Sequence, residues 1–217
     1  NQSDLDRFEQ ECQIHGPLSN HPNIVTIHDA GYTPSGSPFL VMEYLNAGSL
    51  ADRLSAEGRV SWQHAVELMA PVCDAVSTAH HAGVLHRDIK PANVLLEANG
   101  AAKLADFNIS FSSATEGVTP AAYFGGSLAY MSPEQLQAFD PTHATKPDDL
   151  DARADVFSLG VLLWELFYGK RPFNDEAIIG NVSESLAAMV GLREDGVSEP
   201  PASPSNAVEQ QLHRILC

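Results

Sequence analysis

His86-Arg87-Asp88-Ile89-Lys90-Pro91-Ala92-Asn93-Val94-Leu95-Leu96 sets an acid, a cation and a carboxamide at fixed offsets beside an apolar run. These residue types in this order suit phosphoryl transfer. That chemistry needs an aligned hydroxyl, neutralised phosphate oxygens and metal ions held by oxygen ligands, and little covalent help from the protein. Asp88 could accept the hydroxyl proton, Lys90 could stabilise the transferred phosphate, and Asn93 could hold Mg²⁺. Asp and Asn also cap turns routinely, but flanking Lys90-Pro91 at these offsets they favour the chemical reading.

Outward from that stretch, residues 4–15 read as a helix, with Ser3 as cap, Leu5, Phe8 and Cys12 at helical spacing, and Gly16-Pro17 as the stop. Ile24–His28 and Phe39–Tyr44 are β-rich runs joined by Thr33-Pro34-Ser35-Gly36-Ser37-Pro38, which predicts an antiparallel hairpin. Ser49 is placed to cap a short helix reaching Leu54. Ser61 is placed to cap a long one with Val66, Met69, Cys73, Val76 and Ala79 on its apolar face and Gly83 at its end. Lys103-Leu104-Ala105 predicts a short strand leading to Asp106, and the Ser/Thr/Gly-rich residues 108–129 a long loop. Val156–Tyr168 is apolar nearly all round, so it is expected to be a buried central helix stopped by Gly169. Two further helices are expected after Glu176, separated by residues 194–205. Two strands followed by a mainly helical remainder indicate an α+β fold with a cleft where the two parts meet.

Bulk properties narrow the function. The chain has 217 residues, 44% of them hydrophobic, enough for a sizeable core, and no apolar run long enough to span a bilayer. No basic segment followed by an apolar one suggests a secretory signal. Cys12, Cys73 and Cys217 lack the spacing of a disulfide framework or a zinc knuckle, which points to a reducing cytoplasm. His80 and His81 project about 100° apart on a helix and are poorly placed to share a metal ion. The net charge of −16 opposes a phosphate backbone, so nucleic acid is not the expected partner. A solvated acidic surface explains that charge most simply, with recruitment of basic substrates as the alternative.

The ordered motifs resemble those of serine/threonine protein kinases, in the bacterial branch of the eukaryotic-like type. His86-Arg87-Asp88 is similar to the family's catalytic-loop triplet, Lys90 to the lysine that marks serine/threonine specificity, and Asn93 to the second metal ligand. Asp106-Phe107-Asn108 stands where the family has Asp-Phe-Gly, Ser132-Pro133-Glu134 where it has Ala-Pro-Glu, and Asp155 and Gly160 at its buried helix. The resemblance implies a two-lobe fold: a partial small lobe over 1–45 and a helical large lobe over 46–217.

By that resemblance Asp88 is the base, Lys90 the phosphate cation, and Asn93 and Asp106 the ligands of Mg²⁺ (or Mn²⁺). Glu11, the gatekeeper Met42, the hinge residues Glu43, Tyr44 and Leu45, and Leu95 as adenine floor would surround ATP. Ser127 would bond Asp88 and Lys90 from the substrate loop. Arg87 would receive a phosphorylated loop residue, with Thr115, Thr119 and Tyr123 as acceptors. His86 is expected to be structural. Partners would be proteins bearing Ser or Thr, and self-association for autophosphorylation is allowed.

The departures are equally readable. Asn108 replaces a glycine, a mild change because Asn tolerates positive φ. Residues 139–150 form a longer connection than usual, rich in Pro and Asp, and are expected at the surface. No Gly-rich loop or β3 lysine precedes the first expected helix, and the arginine expected to pair with Glu134 is not found, so the chain reads as a fragment. Two other readings use the same residues: a pseudokinase or interaction module, and a small-molecule phosphotransferase.

Overall fold

The computed structural model describes residues 18–107, 127–175 and 181–197, with residues 207, 210, 211 and 214. The helix expected over 4–15 with Glu11, and the stretch bearing Asn108, Thr115, Thr119 and Tyr123, lie outside them, as does most of the last expected helix.

Strands β1 (Ile27–Tyr32) and β2 (Pro38–Met42) form the expected antiparallel hairpin, pairing Tyr32 with Pro38 and Ile27 with Met42 across an irregularity after Ile27. Its turn closes by Thr33 N–H donating to Ser37 O and Gly36 N–H to Thr33 O, with Gly36 at φ +82°. The first strand was expected over 24–28 and instead starts at Ile27. Ile24 and Val25 are buried, because this apolar pair leaves the hairpin to meet the next sheet. Val25 N–H donates to Leu104 O at 2.9 Å, and Leu104 N–H to Asn23 O at 2.8 Å.

Helix α1 (Leu50–Glu57) begins at a Ser49/Asp52 capping box and runs three residues beyond Leu54. Helix α2 (Trp62–His81) begins at Ser61 as expected, and Gly83 follows its end at φ +77°. Its buried stripe is Ala65, Leu68, Met69, Val72, Ala75, Val76 and Ala79. Val66 and Cys73 are exposed, a correction to the expected face. The stripe is wound one residue earlier, onto small alanines that pack closely but carry little hydrophobic signal.

Strands β3 (Val94–Leu96) and β4 (Ala102–Leu104) pair antiparallel around Gly100, directly after the motif. Helix α3 (Pro133–Phe139) has a Ser132/Gln135 capping box and proline in its first turn. Helix α4 (Ala152–Tyr168) is capped by Asp151 and ends at Gly169 in the left-handed region. It starts four residues before the expected Val156, which is itself exposed, while Ala154 and Asp155 just before it are buried, so the helix is not buried on every face. Helix α5 (Val182–Glu194) begins at an Asn181/Glu184 box. Residues 139–150 are largely exposed as expected, but Pro147 and Leu150 are buried and anchor the far end.

One apolar core joins α2, β3, β4 and the Leu162/Leu166 face of α4. A second joins Leu128 and Met131 to α3 and α5 through Leu136, Leu186 and Met189. The His86–Asn93 loop joins α2 to β3, and its Ile89 is buried in the first of these cores.

Candidate active site

The motif loop is fixed by groups remote in sequence. Arg87 sits at φ +64°, a conformation costly for a residue with a Cβ. Asp155, 1% exposed in the first turn of α4, compensates. Its Oδ2 accepts from His86 N–H at 2.8 Å and its Oδ1 from Arg87 N–H at 2.7 Å. His80 Nε2 donates to the same Oδ2 at 2.7 Å, while His81 is turned to Ser77 O. The buried Gln135 donates to Arg87 O at 3.0 Å. Asp155, His80 and Gln135 thus tie α4, α2 and α3 to one loop.

His86 is fully buried. Asp88 N–H donates to its Nδ1 at 3.2 Å, and its Nε2 donates to Ala105 O at 3.0 Å. Burial holds the imidazole below its ordinary range, against the pull of Asp155, so the ring is neutral. Its ring centroid lies 4.6 Å from that of Phe107, which couples the motif loop to the Asp106 segment.

Asp88 Oδ2 accepts from Lys90 Nζ at 2.7 Å and from Asn93 Nδ2 at 3.0 Å. Lys90 Nζ also donates to Ser127 Oγ at 2.6 Å, and Asn93 Nδ2 to Asp88 O at 2.8 Å. Four of the residues singled out in the sequence therefore form one network. Both amide hydrogens of Asn93 are directed to Asp88, so its carbonyl oxygen is the function it has left to offer a cation. Asp106, at φ +56° and exposed, adds a carboxylate. Oxygen donors of this kind fit a hard divalent ion.

Asp88 and Asp106 line one cleft together with Leu104, Ala105 and Phe107 and with the apolar Ile24, Val25, Ile27, Leu40 and Met42. Met42 thus joins the site. Glu43, Leu45 and Leu95 do not line this cleft. Glu43 Oε1 accepts from Thr26 N–H at 2.7 Å, and Lys103 Nζ donates to both Glu43 oxygens at 2.8 Å. Burial alone would raise the Glu43 carboxyl, but the Lys103 and Thr26 hydrogen bonds outweigh it and hold the group below its usual range. Leu95 pairs with Lys103 in the β3–β4 ladder and bridges to Ser49, and Leu45 is partly buried just past the hairpin.

Arg87 is half-buried, which lowers its guanidinium, and the carboxylates of Asp155 and Asp148 oppose that shift. Its Nη2 donates to Pro147 O at 3.5 Å, so the 139–150 connection backs it. Glu134 lies in the first turn of α3. The sequence reading missed Arg193, whose side chain is wholly buried and reaches the backbone after Ser127. Its signal was present: Arg193 continues the apolar stripe of Leu186 and Met189, where a charge must have dedicated partners.

A loop with its acid, lysine and asparagine joined at one carboxylate, below a hairpin-roofed cleft with a second acid, is the arrangement of a protein kinase large lobe. The chain belongs to that family: the model of the protein kinase domain matches residues 1–217. It is 35% identical over 215 residues to the serine/threonine-protein kinase PknB of Mycobacterium tuberculosis, covering 97% of this chain and 32% of that protein. PknB of Mycolicibacterium smegmatis is 37% identical with the same coverage. The kinase PknL of M. tuberculosis is 34% identical over 186 residues, covering 86% of this chain and 44% of that protein. The chain therefore spans about a third of the length of the PknB relatives it matches.

Proposed function

We propose that this chain is the catalytic part of an ATP-dependent protein kinase that phosphorylates Ser or Thr hydroxyls of protein substrates in the cytoplasm. The observation that carries this reading is the Asp88–Lys90–Ser127–Asn93 network. Oδ2 of Asp88 holds Lys90 and Asn93, and none of the described residues donates to Oδ1. Oδ1 is thus the oxygen that accepts the proton of the substrate hydroxyl as its oxygen bonds the γ-phosphorus and the bond to the β-phosphate oxygen breaks. Lys90, between Asp88 and Ser127, places positive charge beside the moving phosphoryl group. Asn93 and Asp106 are the residues that would hold Mg²⁺, which neutralises phosphate charge when bound. Met42 and the apolar wall around it suit the nucleotide base, and Glu43 and Leu45 carry the backbone next to it. Lys90 and the Ser132-Pro133-Glu134 segment favour protein over small-molecule acceptors.

The test is transfer of labelled γ-phosphate by the full-length protein to casein, followed by phosphoamino-acid analysis. Label on Ser or Thr, reduced by roughly 10²-fold or more in Asp88→Asn with ATP binding retained, is expected. ATP·Mg²⁺ binding with no transfer by the natural protein would instead establish a pseudokinase.

A further inference from the structure

We propose that Arg193 of α5 is a positioning residue for the polypeptide substrate, acting through the backbone of Leu128–Met131. This rests on the kinase reading above, which makes that segment the neighbour of the acceptor hydroxyl. The segment is a single tight turn, Leu128–Tyr130, followed by Met131, and all four residues are buried. A turn this short cannot satisfy its own carbonyls: Tyr130 N–H and Met131 N–H reach back to Ser127 O and Leu128 O, and the rest need donors from elsewhere.

Arg193 supplies most of them. Its Nε donates to Met131 O at 2.8 Å, and its Nη2 to Leu128 O at 3.1 Å and Ala129 O at 3.2 Å. The remaining carbonyl, Tyr130 O, accepts from Ser158 Oγ on α4 at 2.8 Å. The guanidinium is itself held in place. Asp175 takes Nη1 and Nη2 at 3.0 Å each, Met189 O takes Nη1 at 2.9 Å, and the Phe173 ring lies 4.9 Å from the guanidinium carbon. A planar fork with five donors is used in full, which the three-donor ammonium of lysine cannot reproduce.

The consequence reaches the chemistry through one residue. Ser127, next to Leu128, accepts from Lys90, and Lys90 rests on Asp88. Arg193 touches none of the residues that line the Met42–Phe107 cleft. Loosening it therefore alters how a polypeptide is presented to Asp88 and leaves the nucleotide side alone.

The experiment compares the full-length protein with Arg193→Lys and Asp175→Asn. Steady-state kinetics with casein and with ATP as the varied substrate are combined with amide hydrogen exchange over residues 127–132. Arg193→Lys is expected to raise the casein KM about ten-fold, with the ATP KM unchanged and exchange of the segment faster. Asp175→Asn, which keeps the fork and loses its counter-charge, is expected to give a smaller shift in the same direction. Should Arg193→Lys fail to fold, Asp175→Asn carries the test alone. An unchanged casein KM, or equal rises in both KM values, overturns the proposal. Absence of phosphotransfer in the natural protein defeats the kinase reading instead. In that event unchanged exchange over 127–132 in the folded variants still overturns the positioning of the loop by Arg193.

Discussion

Histidine is the side chain best suited to handling protons near neutral pH, yet the surroundings of His86 give it a different task. Its two nitrogens are committed to Asp88 N–H and Ala105 O, and burial keeps it neutral. The linkage has a definite sign. The unfolded chain takes up a proton at this residue near pH 6.5, whereas the folded protein does so only at lower pH. The unfolded state then binds more protons, and stability falls as the pH drops below about 6.5, by up to about 1.4 kcal/mol per unit until the folded value is reached. Urea denaturation of wild type and His86→Gln between pH 7 and 5 reads this directly. The variant's dependence is expected to be shallower by about one proton, and parallel slopes would refute the assignment. At this scale the motif offsets singled out Asp88, Lys90 and Asn93, the family resemblance added Ser127, and the four meet in one hydrogen-bonded network. The sequence did not disclose that Gln135 and Arg193 serve the same loops, since each acts on backbone atoms far away along the chain.

Among the elements, the hairpin, the two serine-capped helices and α4 were legible from caps and periodicity, since those signals are local. The misplacements share one physical cause. Ile24 and Val25 look like the start of a strand, yet they are pulled onto Leu104 by a pairing that no local pattern encodes. The face of α2 was read from its larger apolar residues, whereas close approach to β4 and α4 selected alanines. Close approach also governs the joint of α1 with α4. Val60 N–H donates to Leu166 O at 3.0 Å, and Gly169 stands at φ +75° with Gly58 O only 2.9 Å from where a Cβ would be. Gly169→Ala combines backbone strain with that clash and is expected to cost roughly 2 kcal/mol or more. A calorimetric unfolding temperature within a degree of wild type would show that the joint gives way freely.

For the molecule as a whole, charge is the property that acts at a distance. A chain carrying −16 attracts basic polypeptides and repels acidic ones, an effect that added salt screens. With the full-length protein, kcat/KM for a peptide with Arg and Lys around its serine is expected to fall several-fold between about 0.05 and 0.3 M salt. An otherwise matched acidic peptide should gain or hold. Equal responses of the two would remove any role for the acidic surface in substrate choice.

Asp155 also bears on how such a chain comes to be made. Its carboxylate gathers His80, His86 and Arg87 from upstream, and 69 positions separate it from His86. A nascent polypeptide that has emerged from the ribosome through Leu96 holds the complete motif and none of the geometry, because the anchor has not yet been translated. Fastening of the motif loop is thus a late event in biogenesis, one that waits for α4 to emerge.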